Sequence, residues 1–233
     1  MTILGVDAYK RGWVAIALDE AGFAGAFVAP DIAAVEAEAA ERWGVETIVI
    51  DVPLGIPDVG PRQADLLARA FVGPRASSVF ATPNRAALAE PDRASADAAS
   101  RSVGGQGVSA QAFAIRDRIL EVNGHLPHAS ARPLEGHPEV SFRAMAAAVG
   151  DDAPLAHGKA SAAGLMLRAD LLAAAGIAIP REAYDALDTA ALDDVYDAAA
   201  MAWTARRVEW GEAESLPEVP EVLSDGVASA IWY

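Results

Sequence analysis

The order of apolar runs at the start of the chain is the feature that most constrains the fold. Residues 2–6, 13–18 and 22–28 are apolar runs separated by short turn-like segments, which predicts an antiparallel meander of three strands. A stretch with helical spacing follows at residues 30–43. Residues 47–50 are a continuous β-branched run, typical of a strand that is buried on both faces. This order predicts an α/β fold with a mixed sheet.

The length and the looser middle of the chain set the domain organisation. A chain of 233 residues suits one large domain or two small ones, and we predict a single domain over residues 1–233. Glycine and proline are frequent from residue 56 to about 130, which predicts an insertion or a set of long loops of the kind that often carries function. Regular patterns return later, with the clearest helix at 192–207, a Pro/Glu-rich tail and a last apolar segment at 230–233.

Composition excludes several classes of site. Cysteine is absent, which excludes disulfides, thiolate metal sites, iron–sulfur clusters and a cysteine nucleophile. The net charge of −15 repels bulk nucleic acid and anionic membranes unless arginines cluster locally or a metal screens the acids. No apolar run is long enough to span a bilayer, and an acid at position 7 argues against a signal peptide. We therefore expect a cytoplasmic protein without a membrane partner.

The placement of acidic residues is the most informative chemical pattern. Asp7 and Asp51 each end an apolar strand, and ligands of open α/β sheets bind outside the strand ends. Asp194 and Asp197 stand three residues apart at the start of the late helix, so they can share one face. The alternative for this last pair is helix N-capping and complementation of the helix dipole.

Convergent carboxylates repel one another and stay ionised together only when a positive charge lies between them. Hard oxygen ligands suit Mg²⁺ or Mn²⁺, and zinc is less suitable for a chain with no Cys and four His. Two such ions about 3.5–4 Å apart would clamp the attacking and leaving oxygens of a phosphodiester. The predicted metal ligands are Asp7, Asp51, Asp194 and Asp197.

A second cluster of candidate catalytic residues is the sequence E-G-H-P-E, with Glu135, His137 and Glu139. Strand alternation or a tight turn would bring two of these side chains to one side. The histidine has three interpretations: a metal ligand, a proton shuttle, or a hydrogen-bonded turn residue, of which the last is the commoner role for a lone histidine.

Arginine and hydroxyl side chains in the middle segment form a third candidate feature, since guanidinium and hydroxyl groups hold phosphate oxygens. Two basic residues of the first hairpin, close to Asp7, are candidates for the same role. The alternative is an ordinary solvated surface. The predicted phosphate contacts are Lys10, Arg11, Arg62, Arg75 and Ser78.

Five ordered motifs resemble one protein family, the domain of unknown function 429. They are G-V-D-A-Y-K-R-G-W at 5–13, I-D-V-P-L-G at 50–55, S-S-V-F-A-T-P at 77–83, E-G-H-P-E-V-S-F at 135–142 and D-D-V-Y-D-A at 193–198. The family is described as predicted nucleases with an RNase H-like fold. The resemblance implies an α/β fold with a five-stranded mixed sheet in the order 3-2-1-4-5, flanked by helices, with the segment at about 56–130 as an insertion.

The resemblance also implies an activity. In Holliday-junction resolvases of this fold, acids on the first strand, at the end of the fourth strand and on the last helix hold two Mg²⁺ ions. By position these correspond to Asp7, Asp51 and the pair Asp194 and Asp197. The implied function is a divalent-metal-dependent nuclease or phosphodiesterase, with Mg²⁺ or Mn²⁺ as the cofactor and nucleic acid or a small phosphorylated molecule as the substrate.

Two observations keep alternatives open. The net charge of −15 and an aromatic content of 6% are unfavourable for a non-specific duplex binder and for stacking of single strands. A structured or small phosphorylated substrate meets that objection. The alternatives are a phosphotransferase or nucleotide hydrolase related to actin-like kinases, and a non-catalytic RNase H-like binding module.

Overall fold

The computed structural model describes residues 1–151, 155–187 and 189–233, which form a mixed α/β architecture. The strands are β1 (Ile3–Tyr9), β2 (Gly12–Asp19), β3 (Gly22–Ala29), β4 (Thr47–Ile50), β5 (Arg132–Gly136), β6 (Ser215–Val222) and β7 (Ala228–Trp232). The α-helices are α1 (Ile32–Trp43), α2 (Gln63–Val72), α3 (Arg85–Leu88), α4 (Arg93–Ser102), α5 (Ala110–Ala114), α6 (Arg116–His125), α7 (Pro138–Ala148), α8 (Ala162–Ala174) and α9 (Leu192–Trp210).

The number of strands differs from the expectation. The described strands form one mixed sheet of seven strands flanked by helices, whereas the resemblance implies five. The two additional strands are β6 and β7. β7 contains most of the last apolar segment, but β6 covers the Pro/Glu-rich tail, for which no strand is predicted. Its sequence, S-L-P-E-V-P-E-V, carries two prolines, and proline is ordinarily confined to strand edges and bulges because it cannot donate to a ladder.

The chain divides into two compact units. The first comprises residues 1–52, 125–214 and 232–233, and the second comprises residues 53–124 and 215–231. The second unit takes in most of the predicted insertion together with β6 and most of β7. None of the described helices is both long and apolar enough to cross a membrane.

The opening of the first unit is the predicted meander. β1 pairs antiparallel with β2, and β2 pairs antiparallel with β3. β1 also pairs in parallel with β4, and β4 with β5, so the strand order in this unit is β3-β2-β1-β4-β5. One detail differs from the prediction: Asp7 lies within β1, two residues before its end, rather than after the strand.

Helix α9 lies unusually close to β1 because β1 carries a glycine at the contact. A Cβ atom at Gly5 would lie 1.9 Å from the backbone N of Ala202 and 2.2 Å from the carbonyl O of Ala198. Side chains alternate along a strand, so residues 5 and 7 share a face. The glycine therefore brings the helix onto the face of β1 that carries Asp7.

A buried carboxylate fixes the chain that leads into β5. Glu36 on α1 accepts hydrogen bonds from the backbone N–H groups of Ser130 and Ala131, each at 2.5 Å, and lies 2.6 Å from Nε2 of His125. Burial alone would raise the pKa of Glu36, but these hydrogen bonds lower it below its ordinary value. The ionised side chain thus anchors the segment that carries Glu135 and Glu139.

A candidate acidic active site

Two aspartates meet at the carboxyl ends of neighbouring parallel strands. Val6 is in register with Ile50, and the backbone N–H of Asp51 donates to the carbonyl O of Val6 at 3.0 Å. The carboxyl groups of Asp7 and Asp51 act on each other's pKa, so they lie close together.

A third aspartate reaches the same place from helix α9. Asp197 is 1% exposed; its charge raises the pKa of Asp7, and the charge of Asp51 raises the pKa of Asp197. Its Oδ2 accepts a hydrogen bond from Nζ of Lys159 at 2.6 Å. Its Oδ1 is buried and has no hydrogen-bond partner among the described residues.

A buried ion pair extends the cluster. Nη2 of Arg168 on α8 donates to Oε1 of Glu139 on α7 at 2.5 Å, and the guanidinium also stacks on Phe142, 5.2 Å from the ring centre. Oε2 of Glu139 and Nε of Arg168 are buried without a hydrogen-bond partner in the described part of the chain. The charge of Glu139 raises the pKa of Asp51, and the charge of Arg168 lowers the pKa of Asp197.

The electrostatics of the cluster show a shortage of positive charge. Burial is the largest cause that raises the pKa of Asp7 well above its ordinary value, followed by the charges of Asp51 and Asp197. Burial likewise raises the pKa of Asp51 and of Asp197 to about 7, against the opposing charge of Lys159. Burial would lower the pKa of Lys159, but the carboxylates raise it above its ordinary value. Three buried acids, Asp7, Glu139 and Asp197, and the half-buried Asp51 thus share two cations, Lys159 and Arg168. This shortage of positive charge favours the protonated form of the aspartates.

The raised pKa values predict that stability falls as the pH rises. An aspartate with the ordinary pKa of 3.8 has released its proton at about pH 5, whereas the folded carboxyls of Asp51 and Asp197 hold theirs until about pH 7. The folded state binds more protons in this window, so the free energy of unfolding decreases with increasing pH. Each of the two carboxyls holds its proton over about two pH units, so we expect a loss of about 5 kcal/mol between about pH 5 and pH 8. Urea denaturation in EDTA measures this loss.

Matched variants separate this effect from other titrations. Asp197→Asn removes one of the titrating groups and is expected to flatten the pH dependence. Asp170→Asn, at an exposed aspartate on α8, is expected to keep the full slope. Stability that is constant or rises between pH 5 and pH 8 in the unaltered protein would contradict the assigned protonation.

The other predicted acids and the histidine have different surroundings. Asp194 is half-buried, and its Oδ2 accepts a hydrogen bond from the backbone N of Ala191 at 3.4 Å, at the start of α9. This contact fits the capping interpretation, although Asp194 also adds to the field on Asp7. His137 precedes α7, and its Nδ1 accepts from the backbone N of Glu139 at 3.2 Å, which is the hydrogen-bonded turn role. Glu135 is buried on β5 opposite Ile50.

The predicted phosphate contacts are dispersed. Lys10 and Arg11 are exposed in the turn after β1, three and four residues beyond Asp7. In the second unit, Arg62 is 1% exposed, and its Nη2 pairs with Oδ1 of Asp65 at 2.5 Å, so its guanidinium is engaged within the protein.

The last two predicted phosphate contacts also lie in the second unit. Arg75 and Ser78 are in a short 3-10 segment, where Oγ of Ser78 donates to the carbonyl O of Arg75 at 2.7 Å.

Two functional residues were missed by the sequence reasoning. Lys159 carries one signal, since it is one of only two lysines in the chain, but no motif surrounds it. Arg168 is 0% exposed in the middle of α8, and arginine in a helix is ordinarily exposed. Neither residue could have been assigned to the acidic site without the tertiary structure.

The oxygen atoms of the acidic cluster are the kind of ligand that Mg²⁺ and Mn²⁺ prefer. The carboxylate oxygens of Asp7, Asp51 and Asp197 are the hard ligands these ions prefer, and the partnerless oxygens of Asp197 and Glu139 are unusual for buried acceptors. Across residues 1–151, 155–187 and 189–233, no three acidic or histidine side chains already converge as a ligand set. The donors fit a divalent ion in kind, with the lysine in the competing position.

Comparison with known protein families assigns the chain to one family. Residues 5–222 match the family described as "Protein of unknown function (DUF429)". The match covers most of the chain, and the protein belongs to this family. No curated protein and no solved structure matches the chain. The family description carries no activity, so function rests on the geometry of the acidic site.

Proposed function

We propose that this protein is a divalent-metal-dependent phosphodiesterase, a nuclease of the RNase H-like class. One observation carries the proposal: the buried Asp7 and Asp197 and the half-buried Asp51, from three distant parts of the sequence, lie together with too little positive charge to ionise all of them. Such a cluster is costly for stability, and hydrolytic sites that bind cations have this arrangement. The strand order β3-β2-β1-β4-β5 within the first unit supports the RNase H-like assignment.

The residues have separate tasks in this proposal. Asp7, Asp51 and Asp197 would hold the Mg²⁺ or Mn²⁺, and Glu139 adds negative charge behind Asp51. When bound, the ion supplies a water of lowered pKa and stabilises charge on the phosphate oxygens. Burial in the sheet and under α9 keeps bulk water from the carboxylates, which strengthens their interactions with a cation.

The substrate side is the rim formed by the turn after β1. Lys10 and Arg11 are exposed there, directly beyond the strand end that carries Asp7, so they are suited to hold a phosphate of the substrate. The remaining surface is acidic, with a net charge of −15, which weakens non-specific binding to duplex. We therefore favour a structured nucleic acid or a small phosphodiester over bulk duplex.

Metal binding and hydrolysis test the proposal together. Titration calorimetry with Mn²⁺ at about pH 8, above the raised pKa of Asp51 and Asp197, is expected to show binding by the unaltered protein. Hydrolysis would be measured on single strands, duplexes and four-way junctions of DNA, on RNA and on bis(p-nitrophenyl) phosphate. Asp7→Asn is expected to lower the rate at least about 100-fold because it removes a charged ligand.

Asp170→Asn is the matched control, since it removes an exposed aspartate of the same unit and is expected to keep the binding and the rate. Equal rates for the unaltered protein and Asp7→Asn would eliminate the metal role of Asp7. Turnover of ATP without cleavage of any diester would favour the phosphotransferase alternative. Absence of Mn²⁺ binding would favour the non-catalytic binding module.

A further inference from the structure

Lys159 has an uncommon combination of exposure and contacts. Its side chain is 43% exposed, yet its Nζ lies 2.6 Å from Oδ2 of Asp197, which is 1% exposed. The residue stands between α7 and α8, in a segment outside regular structure. The ammonium therefore enters the buried acidic cluster from the solvent side, with its stem still in contact with water.

The ammonium acts on every aspartate of the cluster. Its charge opposes the raised pKa of Asp7, Asp51, Asp194 and Asp197 alike. Arg168 differs, because its guanidinium is 0% exposed and is held by Glu139 and by the carbonyl O of Gly164 at 3.1 Å. Lys159 is thus the shared counterion of the aspartates, and Arg168 is a fixed part of the scaffold.

A divalent ion bound to these carboxylates would bring a positive charge to the place that the ammonium of Lys159 occupies. Two cations within a few ångströms repel strongly in a buried site, so the ion and the ammonium compete for Asp197. Lysine has a long flexible stem and a strongly hydrated head, and can leave a partner for water at small cost. The second oxygen of Asp197 and Oε2 of Glu139, both buried and without partners in the described residues, remain to be satisfied by a ligand.

We propose that Lys159 is a displaceable counterion, which neutralises the aspartates while the site is free of metal and must withdraw from Asp197 before a divalent cation binds. This inference rests on the proposed function. It assigns to Lys159 a positioning role in which it sets the metal affinity of the site and keeps the acids together without the ion.

Selective lysine labelling tests the displacement directly. The chain has only two lysines, so acetylation with an N-hydroxysuccinimide ester, followed by peptide mass spectrometry, reports on Lys159 with the exposed Lys10 as an internal reference. Without metal, we expect Lys159 to react at least about 10-fold more slowly than Lys10, because its ammonium is paired with Asp197. Mg²⁺ is expected to raise the rate at Lys159 and to leave Lys10 unchanged, and Asp197→Asn is expected to raise it without metal.

Metal affinity supplies the second measurement. Lys159→Met removes the competing charge and is expected to bind Mn²⁺ at least about 10-fold more tightly in calorimetry, whereas Lys159→Arg keeps the charge and is expected not to gain affinity. Arg181→Met, at an exposed arginine of the same unit, is the matched control for loss of one positive charge and is expected to bind as the unaltered protein does. If Lys159→Met fails to fold, the labelling experiment on the unaltered protein still tests whether Mg²⁺ displaces Lys159 from Asp197.

The outcomes distinguish this inference from the proposed function. Mn²⁺ binding of equal strength in the unaltered protein and Lys159→Met, with labelling of Lys159 insensitive to metal, overturns the displacement and leaves the metal site standing. Binding by Lys159→Met alone supports competition and overturns a metal-dependent activity of the unaltered protein. Absence of binding in both overturns the two together.

Discussion

Gly5→Ala is expected to destabilise the first unit by at least about 3 kcal/mol. The added Cβ would lie 1.9 Å and 2.2 Å from backbone atoms of α9. Backbone atoms in the middle of a helix cannot rotate away as a side chain can, so the whole of α9 must move from β1. Because the same contact brings Asp197 to Asp7, the variant is also expected to weaken Mn²⁺ binding. Urea denaturation and calorimetry measure the two effects.

Two other glycines are matched controls for the addition of one methyl group. At Gly136, the new Cβ would lie 2.5 Å from Sδ of Met201 and 2.6 Å from Cγ1 of Val49. Both are side-chain atoms, which can shift more easily than a helix backbone, so Gly136→Ala is expected to cost less than Gly5→Ala. At Gly124 on α6, nothing lies within 4 Å, and Gly124→Ala is expected to be neutral or to stabilise by up to about 1 kcal/mol through helix propensity. A cost for Gly5→Ala no larger than that for Gly136→Ala would contradict the tight packing of α9 on β1.

The sequence predicts the fold best where local pattern and burial agree. The opening meander and β4 follow from apolar runs with clear turn residues between them, and Asp7 and Asp51 are predicted as neighbours because adjacent parallel strands end at one edge. β6 is not predictable in the same way, because its prolines contradict the ordinary strand pattern. Here tertiary pairing overrides local propensity.

The acidic site is predictable only in part, for a different physical reason. Acids at strand ends and helix starts are visible in the sequence, but the cations that make their burial tolerable are not. Lys159 and Arg168 come from a loop and from the middle of a helix, and only the packing of α7, α8 and α9 brings them to the aspartates. The sequence predicts that a positive charge lies between the carboxylates and assigns it to a metal. The structure places the ammonium of Lys159 against Asp197, one of these carboxylates.

Arg168 is fully buried, and its replacement is expected to lower the free energy of unfolding strongly. Arg168→Met leaves the buried carboxyl group of Glu139, which acts on Asp51, without its ion-pair partner. Breaking a buried ion pair from one side costs about 3–5 kcal/mol, and we expect a loss of that size at neutral pH in urea denaturation.

The double variant Glu139→Gln with Arg168→Met distinguishes charge from packing. If the cost of Arg168→Met comes from the stranded carboxylate, removing that charge restores most of the stability, because a buried ion pair is often replaced by neutral groups at little net cost. If the cost comes instead from the contact of Arg168 with Phe142, the double variant stays as unstable as Arg168→Met. Additive losses in the two single variants would show that Glu139 and Arg168 do not act as a pair. That result would also contradict the inference that the charges of this pair influence Asp51 and Asp197.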